Sequence, residues 1–187
     1  MSSTLKVGDQ IEVDIGPIAN GGHFVARHNG QVIFVRHAIE GERALVEITS
    51  ITSKLARGDA ISILKKSPDR VENPCKYSGP GKCGGCDFLH IDFIEQVKYK
   101  EQVVRELFNR IAKMEIDFSI QQVNPRAGHN WRTRVDFAIS KHGHIGFFGA
   151  RSNEIIEISE CLALVQPINK LDIFSRNWRG EDRVEVA

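Results

Sequence analysis

No stretch of this 187-residue sequence is apolar for long enough to span a membrane, and Met1 to Asp9 lacks the apolar core of an export signal. These absences lead to the expectation of a soluble, cytoplasmic protein with no membrane partner. A dominant charge is also missing. Charged residues make up 26% of the chain, yet the formal net charge is +1, which excludes a global field that would by itself name a partner. Internal repeats and low-complexity tracts are absent, so the chain reads as one large or two small globular domains. Cysteine is scarce, at four residues. In a chain without an export signal such cysteines stay reduced, and clusters of them more often bind metal than form bridges.

What is present begins with short β-like runs from residue 5 to 66. Ile11 to Ile15 alternates, and Phe24 to Arg27 and Val32 to Val35 flank His28-Asn29-Gly30-Gln31, where Asn-Gly is the strongest short hairpin signal. Arg43 to Ile48 and Ala60 to Leu64 add further runs, a spacing that predicts a small barrel. From Asp92 the period becomes helical, with Phe93, Val97, Val104, Leu107, Phe108 and Ile111 on one face and Asp92 and Glu95 resembling a capping box. A helix is expected over about residues 92–113. Arg132 to Ile139 and Ile145 to Phe148 then read as a β pair around Lys141 to His144, and Ile155 to Ile158 as a third run. Residues 166–176 read as a short helix, and the last ten as a polar, acidic tail.

The chemistry lies in the cysteines. Residues 67–91 form a loop bearing Cys75, Cys83 and Cys86, with Cys161 far downstream. Two residues between Cys83 and Cys86 let both sulfurs reach one centre, and Gly84 and Gly85 free the backbone to wrap it. Four thiolates suit tetrahedral zinc and an iron–sulfur cluster alike, with zinc favoured on general frequency. A redox-active Cys83–Cys86 pair, or cysteines packed as small apolar groups, are the alternatives, although the βαβ pattern expected beside a thioredoxin-like pair is missing.

Between residues 126 and 151, Arg126, Arg132, Arg134, Lys141 and Arg151 face only Asp136 in the local sequence. With Trp131, Phe147 and Phe148 nearby, this patch suits phosphates and unstacked bases, and alternation allows at most one of the two phenylalanines to face outward. The alternative is a solvated sheet face. Arg27 and Arg36, with Lys6, His23, His28 and His37, are candidate phosphate contacts on the barrel, but residues 1–74 carry nine basic and nine acidic side chains, so the barrel alone does not establish RNA binding.

Taken together, the motifs resemble the 5-methyluridine (uracil-C5) RNA methyltransferases that begin with a TRAM domain. Gly21-Gly22, Asn29 to Val35 and Gly41-Glu42 look like the TRAM signature. Pro74-Cys75, Cys83 to Cys86 and Leu89-His90 look like the cluster loop, with Gln96 and Lys100 placed as at the start of the family's next helix. Trp131 to Val135 is similar to an aromatic-Arg-x-Arg motif, and Gly146-Phe147, Ser152 and Ile158 to Cys161 match the approach to the fourth cysteine. The seven residues between Cys75 and Cys83 exceed the family's commoner five.

The resemblance implies a mainly β chain with α+β character. Residues 1–67 would be an OB-like TRAM barrel, and residues 68–187 a cluster domain with one long helix and a small antiparallel sheet. It implies a 4Fe-4S cluster on Cys75, Cys83, Cys86 and Cys161, in place of zinc, serving structure and RNA presentation. The expected partner is ribosomal or transfer RNA, with no DNA. In the family a later-domain cysteine attacks uridine C6, and the methyl comes from S-adenosylmethionine. No such cysteine is left over here and no Gly-rich cofactor turn is present, so the expectation is no catalytic residue in this chain: a truncation or a short relative, inactive alone. The rivals are a free-standing RNA-binding iron–sulfur or zinc protein and a redox enzyme using Cys83 and Cys86.

Overall fold

The computed structural model describes residues 5–53, 55–123 and 128–187. Arg126 of the expected basic patch lies outside the described residues. Five strands close a barrel: β1 (Gln10–Ala19), β2 (His23–His28), β3 (Gln31–Arg36), β4 (Arg43–Ile51) and β5 (Ala56–Lys65), in spatial order β1-β2-β3-β5-β4. Sequence alternation becomes the two sides of the wall: Val13, Ile15, Phe24, Ile33, Val35, Val46 and Ile48 are buried inside. Burying each contributes on the order of 1.5–3 kcal/mol. Asn29 and Gly30 have φ of 48° and 81°, the left-handed pair that a type I′ hairpin requires, and the β2–β3 ladder runs in register from His28 opposite Gln31 to Phe24 opposite Val35. At Gly58 a Cβ would lie 2.5 Å from Val46 Cγ1 and 2.7 Å from Glu47 O, so β5 meets β4 more closely than a side chain allows.

The chain forms two compact units that interleave in sequence: Met1–Glu72 with Asp87–Ile120, and Asn73–Cys86 with Gln121–Ala187. The expected division at residue 67, with the helix on the cysteine side, differs from this. The helix α1 (Phe93–Leu107) shares a unit with the barrel, and the cysteine loop shares one with the C-terminal sheet. α1 continues as a π-helical turn, Phe108–Ala112, and stops at Lys113, whose φ of 56° is left-handed. Asp92 caps it by accepting from the Ile94 amide, while Glu95 reaches Lys98, so half of the expected capping box forms. The expected apolar stripe is only partly the packed face, with Phe93, Val97, Val104 and Leu107 half-buried. Tyr99 packs edge-on against Phe24 at 5.2 Å with Val103 also on the core, whereas Phe108 and Ile111 are exposed. The Tyr99 hydroxyl donates to Asp69 at 2.9 Å, and this anchor sets the rotation of the helix.

A buried ion pair ties the segment after the barrel to its wall. Glu42 is 1% exposed, and its carboxylate accepts from the amides of Ile39 and Ser67 at 2.9 and 3.1 Å and from Arg70 Nε and Nη2 at 2.5 and 2.7 Å. Four donors on one carboxylate compensate its removal from water.

The second unit carries β6 (Val135–Ile139), β7 (Ile145–Phe148), β8 (Ile155–Glu157) and β9 (Arg183–Val186) in antiparallel order β8-β7-β6-β9. β6 starts three residues later than the expected run because Arg132 is drawn away to bridge Leu164. α2 (Gln166–Asn169) is four residues long, well short of the 166–176 reading. β9 comes from the tail read as polar: Val184 is buried while Arg183 and Glu185 are exposed, an alternation too short to stand out in sequence. Among the described residues no helix is long and apolar enough to cross a membrane.

His37 and His90 set an acid limit on the first unit. Their ring centroids are 6.1 Å apart; His90 Nε2 is 3.1 Å from Ala38 O, and His37 Nε2 is buried without a partner. Burial, first among the causes, pushes both imidazoles from 6.5 down to about 4. A histidine held neutral in the fold contributes stability that is complete above its unfolded value of about 6.5 and is lost as pH falls toward 4, by up to about 1.4 kcal/mol per pH unit. Denaturant unfolding is therefore expected to give lower stability at about pH 5 than at about pH 7.5. His37→Asn, a residue that tolerates the left-handed backbone, should roughly halve that difference. The same pH dependence in both proteins would remove His37 from this explanation.

Candidate cysteine centre and nucleic-acid surface

The cysteine loop is stitched to the end of β7. The Cys83 amide donates to Tyr77 O at 2.9 Å, Gly84 N to Phe148 O at 3.0 Å, and Ala150 N to Lys82 O at 3.3 Å. A Cβ at Gly84 would meet Ala150 Cα at 2.9 Å, which is the local reason for glycine between Cys83 and Cys86. The Gly85 amide turns back onto Cys83 Sγ at 3.4 Å.

Side chains that the sequence reading did not single out bring in the distant cysteine. The Ser159 amide donates to the Tyr77 hydroxyl at 2.9 Å, the two hydroxyls lie 2.8 Å apart, and Lys76 pairs with Glu160 at 3.3 Å. Asn169 on α2 then clamps Cys161: its Oδ1 accepts from the Cys161 amide at 3.0 Å, and its Nδ2 donates to Cys161 O at 2.9 Å and Leu164 O at 3.2 Å. Asn73 does the same at the other end, accepting from the Cys75 amide at 3.0 Å and donating to Ser78 O at 3.4 Å. Asn73, two residues before Cys75, was legible as an Asx turn. Nothing in the sequence pointed to Asn169.

All four cysteines are half-buried and none is in a disulfide. The Cys86 thiol is pushed up to about 11, first by burial and then by the charges of Cys161, Cys83 and Cys75, with Arg132 opposing. The other three sulfurs thus lie within electrostatic reach of Cys86, and a cation among them would reverse the penalty on its thiolate. Among the described residues, no three or more His, Cys, Asp or Glu side chains gather tightly enough to hold a single metal ion. If the clamp governs the loop, Asn169→Ala should raise the rate of Cys161 modification by a thiol reagent several-fold relative to Cys83, read by peptide mass spectrometry. It should also cost roughly 1–3 kcal/mol of stability. Unchanged relative rates would show that Asn169 does not position Cys161.

The expected RNA-contact residues fall into three situations. Asn130 N donates to Leu162 O at 2.9 Å, Arg132 N to Ala163 O at 2.8 Å and Val165 N to Arg132 O at 3.0 Å, so Trp131 and Arg132 are bound to the stretch that follows Cys161. Trp131 is 50% exposed, and the Arg132 guanidinium lies 5.0 Å over its ring. Lys141 and Arg151 are exposed on turns, and Arg27 is exposed on β2. Arg134 pairs with Glu185 across the β6–β9 edge, and Arg36, its side chain 10% exposed, is held by Asp87 at 2.7 Å. Those two guanidiniums already have carboxylate partners. A charge count along the local sequence missed Glu185 because β9 returns from the end of the chain. Of the two aromatics, Phe147 stacks inside on Phe137 at 5.2 Å and Phe148 is 53% exposed.

Known proteins resemble this chain in sequence and fold. Residues 4–61, most of the barrel, match the family model described as TRAM domain. A protein of Streptomyces avermitilis named an uncharacterized RNA methyltransferase is 39% identical over 193 residues, covering 96% of this chain and 45% of its own length. The 23S rRNA (uracil(1939)-C(5))-methyltransferase RlmD of Shewanella halifaxensis is 28% identical over 175 residues, covering 91% of this chain and 39% of its own. Among solved structures, the tRNA (uracil-54, C5)-methyltransferase of Pyrococcus abyssi, in complex with S-adenosyl-L-homocysteine, aligns with a TM-score of 0.52 and 22% identity. It covers 84% of this chain and 34% of that one, a likeness of fold. This chain carries a TRAM domain. It is a relative of proteins named as RNA methyltransferases, and spans less than half the length of those it matches.

Proposed function

We propose that this chain is the RNA-recognition and iron–sulfur part of an S-adenosylmethionine-dependent RNA uracil-C5 methyltransferase acting on ribosomal or transfer RNA in the reducing cytoplasm. The observation that carries it is the bonding of Trp131 and Arg132 to the stretch that follows Cys161. Trp131 and Arg132, as proposed RNA contacts, thus belong to the same unit as the four cysteines. The names of the relatives support the reaction class; methyl transfer belongs, on this reading, to a part of such proteins that this chain does not span.

Cys75, Cys83, Cys86 and Cys161 are the proposed ligands of a 4Fe-4S cluster. Four thiolates on one zinc ion would have sulfurs about 3.8 Å apart, given zinc–sulfur bonds of about 2.3 Å in a tetrahedron. What supports the cluster over zinc is the resemblance of the cysteine loop to that of the RNA uracil-C5 methyltransferases, together with a donor set of four half-buried cysteines in one unit. Held by these four cysteines, such a cluster would cross-link the loop and the Cys161 segment; Arg132, which opposes the rise of the Cys86 thiol, would offset its negative charge and offer its stack with Trp131 to an unpaired base.

In titrations against folded rRNA or tRNA fragments, Arg132→Ala with Arg134→Ala is expected to weaken binding and lower the slope of log affinity against log salt by about one to two. Cys161→Ser should weaken binding too, by releasing the segment that holds Trp131. Wild-type affinity and slope in the arginine double variant would overturn the RNA reading of this surface.

A further inference from the structure

Three of the four cysteines lie on one loop and the fourth on a separate segment, so the contacts that tie the two together decide whether the four act as one set. The backbone bonds at Gly84 and Ala150 tie the loop to the end of β7, and Asn169 fixes Cys161 only within its own turn. Among the described residues no backbone hydrogen bond joins residues 75–78 to residues 158–161. The ties there are side chains, and they share a register. Lys76 pairs with Glu160 at 3.3 Å, and the Tyr77 phenol accepts from the Ser159 amide at 2.9 Å with the two hydroxyls 2.8 Å apart. One step back along the loop is one step forward along the other segment, so the next pair in the series is Cys75 with Cys161.

Tyr77 is the residue on which this register rests. Lys76 and Glu160 are exposed, at 62% and 59%, and such a pair contributes little. The Tyr77 ring instead packs, partly buried, against the core of the second unit, and its carbonyl accepts from the Cys83 amide at 2.9 Å. One residue thus orients Cys83 through its backbone and the approach to Cys161 through its hydroxyl. The seven-residue spacer allows this by turning twice. Ser78 N returns to Cys75 O and Lys82 N to Gly79 O, both at 3.1 Å, with Gly79 and Gly81 at φ of 140° and 67°.

We infer that Tyr77 is a positioning residue that matches Cys161 to Cys75 and so holds the four cysteines as one ligand set. It acts through the Ser159 amide, two residues before Cys161, and is not itself a ligand. This rests on the cluster reading above. The full chain, loaded with iron and sulfide without oxygen, tests it by the rate at which a ferrous chelator removes iron, followed by the visible absorption of the cluster. Tyr77→Phe keeps the ring on the core and deletes only the hydroxyl. It is expected to load about four iron, as the wild type does, and to release them about two- to tenfold faster, the range for one net hydrogen bond. Ser159→Ala keeps the amide and loses the second hydroxyl, so its rate should fall between the two. The double variant should release iron no faster than Tyr77→Phe alone, because both changes act on one contact. A wild-type release rate in Tyr77→Phe overturns the role of Tyr77 and leaves the cluster standing. Faster release that only follows a lowered melting temperature of the chain before loading also overturns it, by making Tyr77 a core residue alone. A wild-type chain that binds zinc, or takes up no iron and sulfide, overturns the cluster reading and the role of Tyr77 together.

Discussion

Capture of the loop Asn73–Cys86 by the C-terminal sheet is the constraint on which the arrangement depends. The chain leaves the barrel unit at Glu72, supplies fourteen residues to the other unit, and returns at Asp87 to make α1. Such an excursion must be held at its far end, since a loop carries few apolar contacts of its own. Backbone bonds from Gly84 to Phe148 and from Ala150 to Lys82 do this, and Tyr77 extends the hold to Ser159. The same contacts place three cysteines within reach of the fourth. A centre linking Cys75, Cys83 and Cys86 to Cys161 would therefore lie wholly inside one unit, closing a connection that neutral contacts have already brought together.

That arrangement accounts for the chemistry proposed here. Burial and the three neighbouring sulfurs push the Cys86 thiol up, so its thiolate persists only with positive charge nearby. Arg132 supplies part of it from a segment whose backbone is bound to the stretch after Cys161. Its aromatic neighbour, half exposed, gives that cation a planar surface suited to unpaired bases more than to the uniform face of a duplex.

The sequence was legible where a signal is local. Asn29-Gly30 specified its hairpin because both residues must be left-handed, and strand alternation foretold the barrel interior. It was illegible where partners come from afar. The rotation of α1 follows from Asp69 reaching Tyr99, which no helical period contains. Arg134 read as a free cation until β9 brought Glu185 beside it, and Arg36 until Asp87 did the same. The clamp on Cys161 comes from Asn169, a residue type common enough in short helical turns to carry no signal of its own. Spacing grouped the four cysteines as one ligand set and left zinc and iron–sulfur open; the expectation of a 4Fe-4S cluster came from family resemblance.

The most direct measurement is the iron, acid-labile sulfide and zinc content of this chain purified without oxygen. About four iron and four sulfide per chain are expected, falling together in Cys161→Ser. One zinc per chain without sulfide, or a Cys161→Ser protein that keeps its full metal content, would contradict a four-cysteine cluster.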